Sequence, residues 1–324
     1  MPSTVYIAAA GFERQLVEEL ERQGGAVEVV LPGIVRHAGA VRRSAWAANI
    51  WYEAEELSVP SIGRAAAALR QRGPWWGLQP GRALRRSHLI AAKLLRWRDE
   101  AQAFPLARPP RPLGAYTLLA EDRLLCAART ARPFAAGAPH FVEDHAGPPS
   151  RAYRKLYEAL TLLGRRPAAG EQCVDFGAAP GAWTWTLARL GARCHAVDKA
   201  PIAAAVAALP EVSAEQGSAF AVDPGARPVD WLFSDVICYP ERLLRLCRRW
   251  LADSACRHYC LTIKLQGADD VAVLDPFWEL PQAHIFHGHH NKHELTLLIH
   301  PGLHEAWRRP WPWLATEATE VDSG

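Results

Sequence analysis

The stretch VDFGAAPGAW, residues 174–183, decides the fold. It is the end of a buried strand, then a tight turn bounded by glycines (Gly177-Ala178-Ala179-Pro180-Gly181), then the start of a helix. The turn is not the GxGxxG of a dinucleotide site, because no second glycine stands where a pyrophosphate must approach the backbone. Nor does it carry the GKS or GKT of a P-loop. What remains is D-x-G-x-x-x-G after a first strand, beginning at Asp175.

Outward from this turn, strand-like and helix-like runs alternate. Strand patterns fall at 172–176, 193–198, 212–216, 229–235 and 258–265, with helical patterns at 182–190 and 239–252. Such alternation predicts a parallel sheet layered with helices. Two further strand patterns, 283–289 and 293–300, are separated by a few polar residues and read as a terminal hairpin. The expected fold is therefore α/β and Rossmann-like, with a mixed seven-stranded sheet whose last strand runs antiparallel. Ser150 is a candidate N-cap for a helix over 151–163 that leads into this domain.

Asp198 ends the second strand, where an acid hydrogen-bonds ribose hydroxyls. A ribose-binding acid with no phosphate cradle suits an adenosine without phosphates. S-adenosylmethionine is the obvious candidate, its sulfonium and amino group met by Asp175 and the turn. A tight strand-to-helix turn with no ligand is the bland alternative. In an open α/β sheet, ligands sit beyond the carboxyl ends of the strands. Asp235 ends the fourth strand there and Lys264 the fifth. Glu294 opens the antiparallel last strand at the same edge, and Lys155, in the preceding helix, can lean over the cleft. Only five of the 37 basic residues are lysine. Lys264 nevertheless sits in a hydrophobic strand, and a desolvated lysine, unlike arginine, can give up its proton to act as a base.

These segments, "SRAYRKLYEAL", "DFGAAPGAWTWTL", "AVDKAP", "FSDV", "LTIKLQG" and "HELTLLIHP", resemble FtsJ-type ribose 2′-O-methyltransferases, most closely an RlmM-like branch acting on large-subunit (23S) ribosomal RNA. The resemblance covers 147–300. It implies a class I S-adenosylmethionine-dependent methyltransferase domain, with the K-D-K-E catalytic tetrad on Lys155, Asp235, Lys264 and Glu294. Cofactor contacts are implied at Asp175, Gly177, Ala178, Pro180, Gly181, Trp183, Asp198, Ser218 and Asp235. Two positions depart from the pattern. The usual Gly-Gly-Trp is Gly181-Ala182-Trp183, and the adenine-contacting acid after the third strand is Ser218. The implied chemistry is in-line methylation of a ribose 2′-hydroxyl. Lys264, its pKa lowered by burial and by the second lysine, takes or steers the hydroxyl proton. No metal is needed.

Residues 1–140 read as a separate α+β domain, with the methyltransferase domain over 141–324. The family places an RNA-binding, THUMP-containing region before its catalytic domain, and "SIGRAAAALRQRGPWWGL" looks similar to part of it. The net charge of +3 is concentrated in this first half. A basic amphipathic helix is expected over 81–98, bearing Arg82, Arg85, Arg86, Lys93 and Arg96. It is either a solvated helix face or a contact for RNA phosphates. The proline-rich stretch 105–114 reads as a semi-rigid linker.

Seven cysteines without CxxC spacing fit a reduced compartment better than a disulfide framework or zinc site. No leader pattern and no long apolar run is visible, so the expected location is cytoplasmic, with no membrane partner. Nothing demands more than a monomer. The histidines at 284, 287, 289, 290 and 293 are either a metal group or a polar hairpin rim near RNA phosphates; no ligand pattern accompanies them. The rival readings are a nicotinamide-dependent oxidoreductase, a non-catalytic RNA-binding protein on a methyltransferase fold, and a cap-type 2′-O-methyltransferase.

Overall fold

The computed structural model describes residues 3–95, 100–106, 113–253, 256–265, 271–303 and 308–309. These divide into two compact units, one of 3–141 with 308–309 and one of 142–303. Arg96 lies outside the described residues, as do 107–112 of the proline-rich stretch.

The first unit runs β1 (Ser3–Ala8), α1 (Glu13–Arg22), β2 (Val27–Leu31), β3 (Ile34–His37), β4 (Ala47–Ser58), α2 (Ile62–Arg72), β5 (Trp76–Leu78), α3 (Leu84–Ala91), β6 (Gly114–Ala120), β7 (Arg123–Ala127) and β8 (Arg129–Thr130). Its sheet has the order β2-β3-β1-β4-β7-β6-β5, with β8 beside β4. The unit is α+β: every pairing is antiparallel except β5 with β6. Ala65, Ala66 and Leu69 of α2 and Ile90 of α3 pack with Tyr116, Leu118 and Leu124 in one core cluster.

The basic helix is shorter than the sequence predicts. It starts at Leu84 and is helical only to Ala91. The following residues turn back on themselves, with Lys93 N–H donating to Ile90 and Leu94 N–H to Ala91. This buries Leu94 in the same core cluster as Ile90. Anchoring that leucine takes precedence over continuing the helix.

The second unit opens with α4 (Tyr153–Leu163) and continues β9 (Gln172–Phe176), α5 (Ala182–Arg189), β10 (Arg193–Asp198), α6 (Ala204–Ala207), β11 (Val212–Gln216), β12 (Trp231–Ser234), α7 (Pro240–Asp253), β13 (His258–Lys264), α8 (Asp275–Trp278), β14 (Ala283–Phe286) and β15 (Glu294–Ile299). Strand order is β11-β10-β9-β12-β13-β15-β14. The first five strands of this order are mutually parallel, and β15 runs antiparallel to both β13 and β14. This is the Rossmann-like mixed sheet that the alternating pattern predicts, with its last strand reversed. The order changes direction between β9 and β12, the switch point where open α/β sheets bind ligands. Central strands carry continuous apolar runs because both faces are covered: Cys260, Leu261 and Ile263 are wholly buried.

Ser150 does not cap α4. Its Oγ accepts from Ala152 N–H at 3.3 Å, and the helix begins only at Tyr153 with no side-chain cap. A hydroxyl bonded two residues ahead stabilises the turn that enters a helix, which is the local bonding that makes serine favour such places. Among the described residues no helix is long and apolar enough to cross a membrane.

Candidate active site

Four elements bring two lysines and two carboxylates into one ring. Lys155 comes from the first turn of α4, Asp235 follows β12, Lys264 ends β13 and Glu294 opens β15. Lys264 and Glu294 are direct cross-strand partners in the antiparallel β13–β15 pair, so register alone sets them side by side. Lys155 Nζ donates to Asp235 Oδ2 at 2.7 Å and to Glu294 Oε1 at 2.9 Å. Lys264 Nζ donates to Asp235 Oδ1 and, at 2.8 Å, to Glu294 Oε2. Thr262 Oγ1 adds a bond to Asp235 Oδ1 at 2.7 Å. Each ammonium spends two of its three N–H donors within the ring, which leaves one on each for a further partner.

The side chains of the ring are only 11–18% exposed. Burial acts to raise the Asp235 carboxyl, but the two ammonium groups outweigh it and hold it below the usual carboxylate range. Glu294 is lowered in the same way. For Lys264 burial acts downward, yet the carboxylates of Asp235 and Glu294 win and its pKa is raised. This corrects the expectation of a lowered value. Burial pushes down, but the two hydrogen-bonded carboxylates outweigh it.

Glu158 is a participant that sequence reading missed. It lies one turn beyond Lys155 on α4 and is 1% exposed. Its carboxylate accepts the backbone N–H groups of His289 and His290 at 2.8 and 3.2 Å. Helix α4 thus clamps the β14–β15 turn with Glu158 while gripping Glu294 with Lys155. An i, i+3 acid beside a candidate site residue was the available signal.

Next to the ring lies a cavity of about 260 Å³, lined by Gly177, Asp198, Ser218, Asp235, Phe220 and Arg242 among others. Asp235 belongs to both. Asp198 Oδ2 accepts from Ala179 N–H at 3.0 Å and its Oδ1 from Ala200 N–H at 2.9 Å, which ties the second strand's acid to the glycine turn. Gly177 has φ +74°, and a Cβ there would stand 2.6 Å from Val236 Cα. The chain next to Asp235 therefore lies directly against the turn. The Arg242 guanidinium sits 3.8 Å above the Phe220 ring. Neither residue is among those the sequence singled out.

Asp175, Ala178, Pro180, Gly181 and Trp183 are not among the cavity-lining residues. Asp175 is 1% exposed, beneath the turn rather than in the cavity. Its Oδ2 accepts from Thr184 Oγ1 at 2.7 Å, and its Oδ1 has no hydrogen-bond partner among the described residues. Trp183 is buried, with Nε1 donating to Ala152 O at 2.9 Å. Gly181 is the left-handed N-cap of α5. These residues shape the turn from below, and Pro180 stands on its exposed side.

Burial raises the Asp175 carboxyl to about 7 from 3.8; the Thr184 bonds oppose this and the Asp235 charge adds to it. An acid raised in the folded state contributes stability that is full below its unfolded pKa and lost as pH rises through its folded one. The second unit should therefore lose about 4 kcal/mol between roughly pH 4 and pH 7 through this group. Asp175→Asn should flatten that dependence, and calorimetry at pH 5 and pH 8 would show the gap between variant and wild type widening with pH.

Of the basic candidates, Arg82, Arg85 and Lys93 are exposed. Arg86 is half-buried, donating to Val59 O at 3.4 Å and lying 3.6 Å from Glu121. Of the five histidines, His284 lies in β14, His287 Nε2 pairs with Lys292 O, and His289 and His290 serve Glu158 through their backbones. His293 precedes β15, and its carbonyl accepts from Leu265 N–H. Among the described residues no group of three or more His, Cys, Asp or Glu could hold a metal.

Residues 148–268 match the FtsJ-like methyltransferase family. The matched span holds Lys155, Asp235, Lys264 and the whole glycine turn, so a methyltransferase domain is present; Glu294 lies beyond it. Curated relatives bear the name ribosomal RNA large subunit methyltransferase M. The protein of Thauera aminoaromatica is 34% identical over 167 residues, 47% of this chain and 46% of its own. That of Halorhodospira halophila is 36% identical over 162 residues, 46% of each chain. That of an Azoarcus strain is 41% identical over 123 residues, 36% of this chain and 34% of its own. The chain spans about half the length of the curated relatives it matches, or less.

Proposed function

We propose that the chain is an S-adenosylmethionine-dependent RNA 2′-O-ribose methyltransferase acting on large-subunit ribosomal RNA. The observation that carries this reading is the closed Lys155–Asp235–Lys264–Glu294 ring on the rim of the cavity beside the glycine turn. The names of the curated relatives support the choice of RNA. The cavity fits the cofactor by its donor set: it offers an acid for hydroxyl groups at Asp198 and a cation for a carboxylate at Lys199. Ser218 lines it as well, in place of the family's acid. Bound there, S-adenosylmethionine supplies an electrophilic methyl group on a sulfonium.

The chain's own work is to place the ribose hydroxyl and move its proton. The remaining N–H of Lys155 is suited to hold the 2′-oxygen. Lys264, once neutral, keeps its two N–H donors in the ring and turns its lone pair to the hydroxyl, whose proton it takes on Nζ. Asp235 and Glu294 stabilise the ammonium that results, and alignment supplies much of the rate. The first unit would hold the RNA, with exposed Arg82, Arg85 and Lys93 on phosphates. The protein would act in the cytoplasm as a monomer.

Because Lys264 is raised in the free protein, kcat/KM should climb with pH up to and beyond the ordinary lysine value of about 10.4, with no plateau near neutrality. A pH–rate profile with a plateau from pH 7 would remove Lys264 as the base. The function itself is tested by transfer of tritium from methyl-labelled S-adenosylmethionine to unmodified ribosomal RNA. Label in an alkali-resistant 2′-O-methylated dinucleotide is expected. Label in a base, or none, refutes the reading. The second reading, an RNA-binding protein on a methyltransferase fold, is favoured only by Ser218. Saturable cofactor binding would dispose of it.

A further inference from the structure

The chain leaving the ring presents two apolar side chains to solvent. Ile237 is 83% exposed and Tyr239 67%, the highest values among the exposed large hydrophobic residues described. Both are held on a fixed backbone. Cys238 between them is buried at 7% exposure, and Pro240 begins α7 as a buried residue. The Tyr239 carbonyl accepts from Arg242 N–H at 3.0 Å and from Leu243 N–H at 3.2 Å. Ile237 and Tyr239 thus flank a buried residue and follow Asp235 by two and four residues. Ile237 also lines the cavity that Asp235 lines.

We propose that Ile237 and Tyr239 form a stacking platform for the unstacked base of the nucleotide whose ribose is methylated, and for its neighbour. The proposal rests on the reading of the ring as a ribose 2′-O-methylation site. Three features of the segment select a nucleobase. The platform is continuous with the ring, and the base hangs from the carbon next to the one bearing the 2′-hydroxyl. Ile237 and Tyr239 present two separate side chains on either side of a buried residue, one for each of two successive bases. A charge complementary to a phosphate is at hand, since Arg242 stands one helical turn from Tyr239 and is steadied over Phe220. An aromatic face stacks on any base, and so it grips without reading the sequence.

The test is steady-state methyl transfer to a short RNA containing the mapped site. Tyr239→Ala should lower kcat/KM by about 10- to 100-fold, chiefly through the KM for RNA. Tyr239→Phe and Tyr239→Trp should restore it, with the Kd for S-adenosylmethionine within twofold of wild type in all three. An abasic ribose at the target, with its 2′-hydroxyl intact, should slow the wild type to the level of Tyr239→Ala and slow that variant no further. Transfer by the wild type with Tyr239→Ala unchanged overturns this proposal alone, as does equal loss on the abasic RNA in both proteins. Self-association that Tyr239→Ala abolishes, with kcat/KM unchanged, assigns the patch to a second copy and overturns it too. No transfer by the wild type to any RNA overturns the reading of the ring and this proposal with it.

Discussion

Lys264→Ala should reduce methyl transfer by about 10³- to 10⁴-fold while leaving the Kd for S-adenosylmethionine within about twofold. Part of this loss comes from the lost proton acceptor, since general acid–base groups contribute roughly 10²- to 10⁴-fold. The rest comes from the ring. Without Lys264, Asp235 and Glu294 share only Lys155, two buried carboxylates around one ammonium. One of them must then shift or take up a proton. Lys264 itself is not among the residues lining the cavity, which is why binding should survive. Single-turnover rates beside equilibrium dialysis separate the two quantities. Near-normal transfer in the variant would remove the ring from the chemistry. A parallel loss of binding would make its role structural. Lys264→Arg is the sharper comparison, because it keeps the cation but cannot release a proton at any working pH. It should be as inactive as alanine.

The second large effect is expected far from any titrating group. Gly177→Ala should cost about 100-fold or more in transfer and weaken cofactor binding. A left-handed backbone costs a non-glycine residue roughly 1–2 kcal/mol, and Gly177 has φ +74°. The added Cβ would also stand 2.6 Å from Val236 Cα and 2.7 Å from its N, which are backbone atoms and cannot rotate away. The chain next to Asp235 has to move, and a misplacement of about 1 Å can cost 10²-fold. Gly181→Ala is the control. It carries the same kind of backbone strain at φ +112°, but the atoms nearest its Cβ belong to the side chain of Val206, at 3.2 Å or more. It should lower stability comparably and transfer far less. Equal losses from the two substitutions would show that strain, and not the position of Asp235, is what matters.

Much of this architecture is legible in the sequence because each signal is local. Asp235 and Lys264 are polar residues closing apolar strand patterns, and a reversed last strand puts Glu294 at the same edge. What sequence could not supply is the balance of opposing terms. Whether Lys264 is raised or lowered depends on burial against two carboxylates that come from β15 and the end of β12, and only distances decide it. Glu158 left only the signal of its spacing from Lys155, because its partners are backbone N–H groups 131 and 132 residues away. Asp175 was assigned a ligand contact, yet a strand-end acid can as well point at the helix that follows, here at Thr184. The order of strands in the first unit was also out of reach, since short antiparallel strands carry little that distinguishes one pairing from another.

Strand β15 lies between β13 and β14 although it follows both in the chain. Among the described residues β14 has no strand partner other than β15, so it joins the sheet only with β15, and the pairing of β15 with β13 delivers Glu294 to the two lysines in the same step. Until then the ring lacks one of its two anions, and the glycine turn and Asp198 can be complete while the proton-handling group is not. Competence is thus acquired with the pairing of β15. A chain halted before β15 would hold much of the fold and none of the assembled ring.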